Sequence, residues 1–160
     1  MRLGKKDGVG IISVGITNGY QNEALESLSE AGVDVSEISS LELIASIPFA
    51  KEKIETMISH CSTLLIAEEL EGHIEKYVYM QAYKMGKQVK ILGKEDGTYE
   101  RIGEYDAQIL RKVSARHWML HCRNASPISR LHRRTTAPSG PSASAQAVRT
   151  VARTWALKPD

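Results

Sequence analysis

The sequence predicts an α/β fold: a three-layer domain with a mostly parallel sheet of about four to five strands, helices on both faces, and a disordered C-terminal tail. Three observations predict it. Over residues 8–115, short apolar runs rich in β-branched residues alternate with segments whose apolar residues recur at helical spacing, in the order βαβαβαβα. Strands separated by helices cannot close hairpins and need right-handed crossovers, which make parallel sheets covered on both sides. A chain of 160 residues, 42% hydrophobic and 25% charged, is also enough for one domain with its own core.

Val9 to Val14 (VGIISV) reads as the first strand, ended by Gly15. Asn18 and Gln21 have capping-box spacing, so a helix is expected to start there. Tyr20, Ala24, Leu28 and Ala31 continue it at helical spacing, and Gly32 closes it. Asp34 to Leu43 reads as the second strand with a loop, from the alternation of Val35, Ile38 and Leu41. Pro48 suits the first turn of a second helix, whose inner stripe is Ile54, Met57, Ile58 and Cys61. Thr63 to Ala67 (TLLIA) is apolar on both faces, as a central parallel strand must be. The third helix carries Ile74, Tyr77, Val78, Gln81, Ala82 and Met85 and stops at Gly86. Gln88 to Leu92 reads as the fourth strand, 93–105 as a polar loop, and Asp106 to Ala115 as a last short helix with Ile109, Leu110 and Val113 inward.

After Ala115 the composition changes. Residues 1–115 hold 13 Lys and Arg against 18 Asp and Glu, whereas residues 116–160 hold 8 against 1, so the net charge of +2 conceals two opposite segments. Residues 116–160 are rich in Arg, Ser, Ala and Pro and contain both tryptophans, Trp118 and Trp155. Such a segment is expected to remain disordered, because it has too little apolar surface to offset its ordering entropy. Val148, Val151, Ala152 and Trp155 would share one face of a short helix, which is marginal alone. Seven arginines in this segment would attract phosphate, but no aromatic ladder or recognition motif accompanies them, so no specific nucleic acid is expected. No apolar run approaches a membrane span, no secretory signal is evident, and two isolated cysteines point to reduced thiols in a cytoplasmic protein.

Chemistry-bearing residues are few. The Gly15–Gly19 turn puts Thr17, Asn18 and Gly19 at a helix N-terminus, a weak anion-site candidate without the glycine spacing or lysine of a phosphate cradle. Glu68, Glu69 and Glu71 follow the third strand at the edge where ligands of open α/β sheets bind. Adjacent residues point to opposite sides, so no acid–base dyad follows; these carboxylates suit either the next helix N-terminus or a contact with another protein. The cysteines have no ligand spacing for zinc, and no nucleophile–base–orienter set assembles, so no catalytic, cofactor or metal residue is assigned.

Several separated segments carry a family resemblance. Thr63 to Glu75 (TLLIAEELEGHIE), with the Pro48 helix before it, resembles the apolar strand, Glu-Glu pair and Ile-Glu helix start of indolepyruvate (2-oxoacid):ferredoxin oxidoreductase large subunits. Gly93-Lys94 with Arg101, Gly103 and Glu104 resembles the features closing the same transketolase C-terminal-like domain, and Gly15 and Tyr20 match in the first unit. Ala50 departs from the pattern, where a second proline is expected. The resemblance covers about residues 8–114. It implies a non-catalytic scaffold domain that contacts other domains or subunits of the oxidoreductase, and ferredoxin indirectly, with Glu68, Glu69, Arg101 and Glu104 as the contact candidates. Thiamine diphosphate, magnesium and iron–sulfur clusters are implied for the full family enzyme but not for this chain, which lacks a GDG…N pattern and a cysteine cluster. The family's oxidative decarboxylation is therefore not expected of this chain alone. The abrupt change after Ala115 suggests a truncated or out-of-frame end. Two other readings make different predictions. A stand-alone small-anion module predicts a pocket at Gly15–Gly19, and a nucleic-acid-interacting protein predicts polyanion binding through the tail.

Overall fold

The computed structural model describes residues 1–124. Four strands, β1 (Val9–Val14), β2 (Ser39–Leu43), β3 (Thr63–Ala67) and β4 (Lys90–Leu92), form one sheet in the order β2-β1-β3-β4, every neighbour parallel. Four helices follow them: α1 (Thr17–Glu30), α2 (Lys51–His60), α3 (His73–Lys84) and α4 (Ala107–Asn124). The predicted three-layer α/β fold is what is found, with four strands.

The alternation of side chains along each strand divides the core in two. Ile12, Leu41, Leu64, Ile66 and Ile91 point to one face and pack with Ile54, Met57 and Ile58 of α2 and Ile74 and Val78 of α3. Val9, Ile11, Leu65 and Leu92 point to the other and pack with Leu25 of α1 and Trp118 of α4. Gly10 is required for the first packing, since a Cβ there would lie 2.6 Å from Cys61 Sγ and 2.9 Å from Met57 Cε. On the second face α1 and α4 are tied by Arg111 Nη1 donating to Ser27 Oγ (2.9 Å) and by Gln21 Nε2 donating to Ser114 Oγ (3.4 Å).

The inner stripes of α2 and α3 and the closures at Gly32 and Gly86 appear as expected, with Val33 N and Lys87 N reaching back to Leu28 O and Ala82 O at 3.0 Å, but Ala31 and Ile109, expected on inner stripes, are exposed. The boundaries differ, each for a visible reason. α1 starts at Thr17 without a side-chain cap, because Asn18 donates across the sheet to Leu43 O (2.9 Å) instead of closing a capping box. Residues Val35–Glu37 form a 3-10 turn, because Asp34 Oδ1 accepts from both Ser36 N (3.1 Å) and Ser36 Oγ (2.6 Å), so β2 begins only at Ser39. α2 begins at Lys51 with Ala50 as its N-cap. The preceding Phe49 stacks flat on Tyr77 of α3, with ring centroids 4.0 Å apart, which pins the loop before any helix starts. β4 begins at Lys90 rather than Gln88, and its three residues pair only with β3.

The largest difference lies at the expected boundary after Ala115. α4 continues to Asn124, and Trp118 is buried against β1, β3 and β4, so residues 116–124 belong to the folded domain rather than to a disordered tail. Composition averages over a window; one large aromatic at helical spacing from Leu110 and Ser114 is enough to carry the helix further. The expected features of residues 125–160, disorder and the Val148–Trp155 face, lie outside the described residues.

At the far side of the sheet the N-terminal segment folds back on β2. Arg2 N donates to Ser40 O and Ser40 N to Arg2 O, both at 2.8 Å, in an antiparallel bridge, and Gly4 N donates to Ser39 Oγ (2.9 Å).

Candidate functional site

The four parallel strands end on one edge, and their loops open there side by side: residues 15–16, 44–50, 68–72 and 93–106. In open parallel sheets the crevice at the point where the strand order reverses is the usual ligand position, here between β1 and β3. Thr17 closes that crevice. Its hydroxyl is fully buried, accepts from Val14 N (2.9 Å), and lies 2.7 Å from Ala67 O and 3.0 Å from Val14 O as a donor. One side chain thus ties the ends of β1 and β3 together.

The neighbouring donors are also used. Asn18 N donates to Gly15 O and Gly19 N to Ile16 O, both at 3.2 Å, and the Asn18 amide is spent on Leu43 O. Asn18 Oδ1 is buried with no hydrogen-bond partner among the described residues, and an acceptor oxygen repels an anion. The Thr17 side chain is therefore a structural joint, and the N–H groups of Asn18 and Gly19 beside it face carbonyls. The same geometry does not fit the diphosphate of a thiamine cofactor. Among the described residues no three Asp, Glu, His or Cys side chains converge as metal ligands. A shallow groove of about 490 Å³ lies elsewhere, against α2, lined by Glu52, Glu55, Thr56, Ser59, His60 and Met85.

On the β3–β4 side the carboxylates divide into two sets. Glu68, only 5% exposed, turns back so that Oε2 accepts from Ile74 N (2.8 Å) in the first turn of α3. This is an N-cap supplied from outside the helix, satisfying a donor that Gly72 cannot. Glu75 is buried under the next loop: Oε2 accepts from Lys94 N (2.8 Å), and Oε1 from Glu95 N (3.2 Å). Gly93 makes this possible, since a Cβ there would sit 2.4 Å from Glu75 Cδ. Lys94 Nζ, also buried, donates to Leu70 O and sits 5.2 Å from the centre of the Tyr105 ring. Glu69 Oε1 accepts from Tyr105 N (3.3 Å), and Tyr99 packs beside Tyr105. These contacts fasten the β3–α3 and β4–α4 loops into one unit.

Desolvation governs the titration of this unit. Burial raises the Glu68 carboxyl above the usual range, against the hydrogen bonds from the start of α3. Burial lowers the Lys94 ammonium, against the pull of Glu68, Glu69, Glu71 and Glu75. Burial, with Glu69 and Glu75 adding, pushes the Tyr105 phenol up to about 12.

Of the four contact candidates, then, Glu68 is consumed by α3 and Glu69 is half-buried against Tyr105, whereas Arg101 and Glu104 are exposed. Arg101 pairs with Glu95 at 2.6 Å, and Glu104 forms no ion pair among the described residues. Sequence reasoning passed over Glu75, although a signal existed: it lies one heptad before Ala82, on the inner face of α3. It also passed over the apolar side chains that this edge exposes. Ile16 and Ile47 are more than half exposed, Leu70 more so, and Ile44 (94%) and Ile102 (88%) stand almost free. They sit on all four loops. The loops adjoin through Gly15 N to Leu43 O (2.8 Å), Thr17 to Ala67, and Lys94 to Leu70.

No family model matches the chain. Two curated proteins do. It is 31% identical over 110 residues to "Indolepyruvate oxidoreductase subunit IorA" of Methanothermobacter thermautotrophicus, covering 69% of this chain and 17% of that protein. It is 34% identical over 105 residues to the IorA subunit of Methanothermobacter marburgensis, covering 66% of this chain and 16% of that one. The chain thus spans about a sixth of the length of the curated relatives it matches, and over that span it is related in sequence to subunits of an oxidoreductase.

Proposed function

We propose that this chain is a non-catalytic contact domain, the counterpart of one segment of a thiamine-diphosphate-dependent indolepyruvate or related 2-oxoacid:ferredoxin oxidoreductase subunit. It docks neighbouring domains or subunits of such an enzyme through the carboxyl edge of its sheet and takes no part in bond making. The observation that carries this reading is the row of exposed isoleucines and leucine on the four loops. Large apolar side chains held out on adjoining loops mark contact surfaces, since leaving them in water forgoes roughly 25 cal/mol per Å² of area that could be covered. The closed β1–β3 crevice and the spent donors around Thr17 support the non-catalytic part.

The test is in-cell cross-linking of the tagged full chain in its own host, beside an Ile44→Asp/Ile102→Asp variant of equal thermal stability. Wild type is expected to cross-link to a protein carrying thiamine-diphosphate or ferredoxin-oxidoreductase domains, and the variant is not. Equal capture by both, or partners of unrelated chemistry, overturns the reading. Turnover of indolepyruvate by the purified chain alone overturns the non-catalytic part.

A further inference from the structure

The carboxyl edge is not uniform, and its asymmetry specifies what can cover it. The loops after β1 and β2, residues 15–16 and 44–50, contain no charged residue. The loops after β3 and β4, residues 68–72 and 93–106, contain eight acidic residues and two basic ones. Both bases are committed: Lys94 is buried on Leu70 O, and Arg101 is paired with Glu95. Of the acids, Glu68 is turned inward, while Glu100 and Glu104 are exposed on either side of Ile102 and form no ion pair among the described residues. The charges nearest the uncharged half along the chain are the exposed Glu42 of β2 and Lys51, which faces Glu55 at 3.9 Å.

The geometry points to a partner surface that is apolar where it meets Ile16, Ile44 and Ile47, and carries lysine or arginine where it meets Glu100, Ile102 and Glu104. This inference rests on the contact-domain reading and adds the chemistry of the partner and its orientation. The apolar half supplies area, and the acidic half rejects partners presented the wrong way round, because like charges brought together across an interface are strongly disfavoured. A second copy of the chain in two-fold contact through this edge would set carboxylates against carboxylates or against bare isoleucines, so it is the poorer occupant.

The full chain is titrated with three synthetic amphipathic peptides of equal leucine content whose polar positions are lysine, glutamate or glutamine, and amide shifts are followed by NMR. The lysine peptide is expected to bind at least about tenfold more tightly than the other two, with shifts on residues 16, 44–47, 70 and 100–104. Glu100→Lys/Glu104→Lys is expected to remove that preference, and Ile44→Asp/Ile102→Asp to abolish binding. Equal affinity for the glutamine peptide, or shifts centred elsewhere, overturns the inference. So do edge shifts that depend on chain concentration without peptide, which would mean self-association. Edge shifts produced without peptide by Arg149→Glu/Arg153→Glu overturn it as well, because they would identify the chain's own C-terminal segment as the occupant. The peptide result is independent of the cross-linking result, so failure of the partner chemistry is distinguishable from failure of the contact-domain reading.

Discussion

The loops after β1 and β2 and those after β3 and β4 are built from the same strand–loop–helix unit, yet they treat their polar and apolar atoms in opposite ways. In the first pair the polar atoms are drawn inward by one hydroxyl, Thr17, and apolar side chains such as Ile44 are left in solvent. In the second pair two carboxylates, a lysine and two tyrosines are packed beneath the surface, and further carboxylates remain above it. The difference teaches that loop composition alone does not separate anchoring residues from presenting ones. Glu68 and Glu104 are the same residue type on the same edge, and only the N–H groups offered to Glu68 by the start of α3 distinguish them.

Substitutions should separate anchors from presenters by their cost. The largest effect is expected for Gly93→Ala, whose Cβ would displace the Glu75 carboxylate from Lys94 N and Glu95 N. Overpacking together with stranded buried donors should cost about 3 kcal/mol in urea unfolding. Thr17→Val keeps the shape but leaves Val14 N without its acceptor, and should cost about 2 kcal/mol in the same measurement. Glu68→Ala removes the cap of α3 and should cost about 1–2 kcal/mol, whereas Glu68→Gln retains an acceptor for Ile74 N and should cost less.

The pair of Glu68 variants also carries a pH signature. Because burial raises the Glu68 carboxyl above its ordinary value of 4.5, folding favours its protonated form. Its contribution to stability is fully present below 4.5 and is lost as pH rises through the folded value. Glu68→Gln should therefore gain on wild type as pH rises from 4.5 through the folded value and hold that gain to neutrality; a constant difference across the whole range would contradict the burial argument. The smallest effect is expected for Ile44→Ser and Ile102→Ser, within about 0.5 kcal/mol of wild type, because neither side chain is buried. A loss as large as that of Gly93→Ala would break the distinction between the two classes.

Much of this was legible in the sequence. Short, mainly apolar runs located β1 and β3, and the regular 3.6-residue stripes located α2 and α3. Boundaries were less legible where a side chain chose a partner distant in sequence: Asn18 on Leu43 O, and Phe49 on Tyr77. Trp118 was hidden by the composition around it. The inward roles of Thr17 and Glu75 left a trace, each one heptad before a buried alanine, Ala24 and Ala82, but a polar residue on an apolar stripe shows that it is buried without showing its partner. The exposed isoleucines had no signature, since apolar residues in a loop read equally well as packed or presented.

The antiparallel bridge between Arg2 and Ser40 has a consequence for growth of the sheet. It occupies the outer backbone of β2 with the chain's own N-terminus, so an incoming extended segment meets a filled margin on that flank. Among the described residues, lengthening of the sheet by a strand from any other molecule is thereby steered to the opposite flank, past β4.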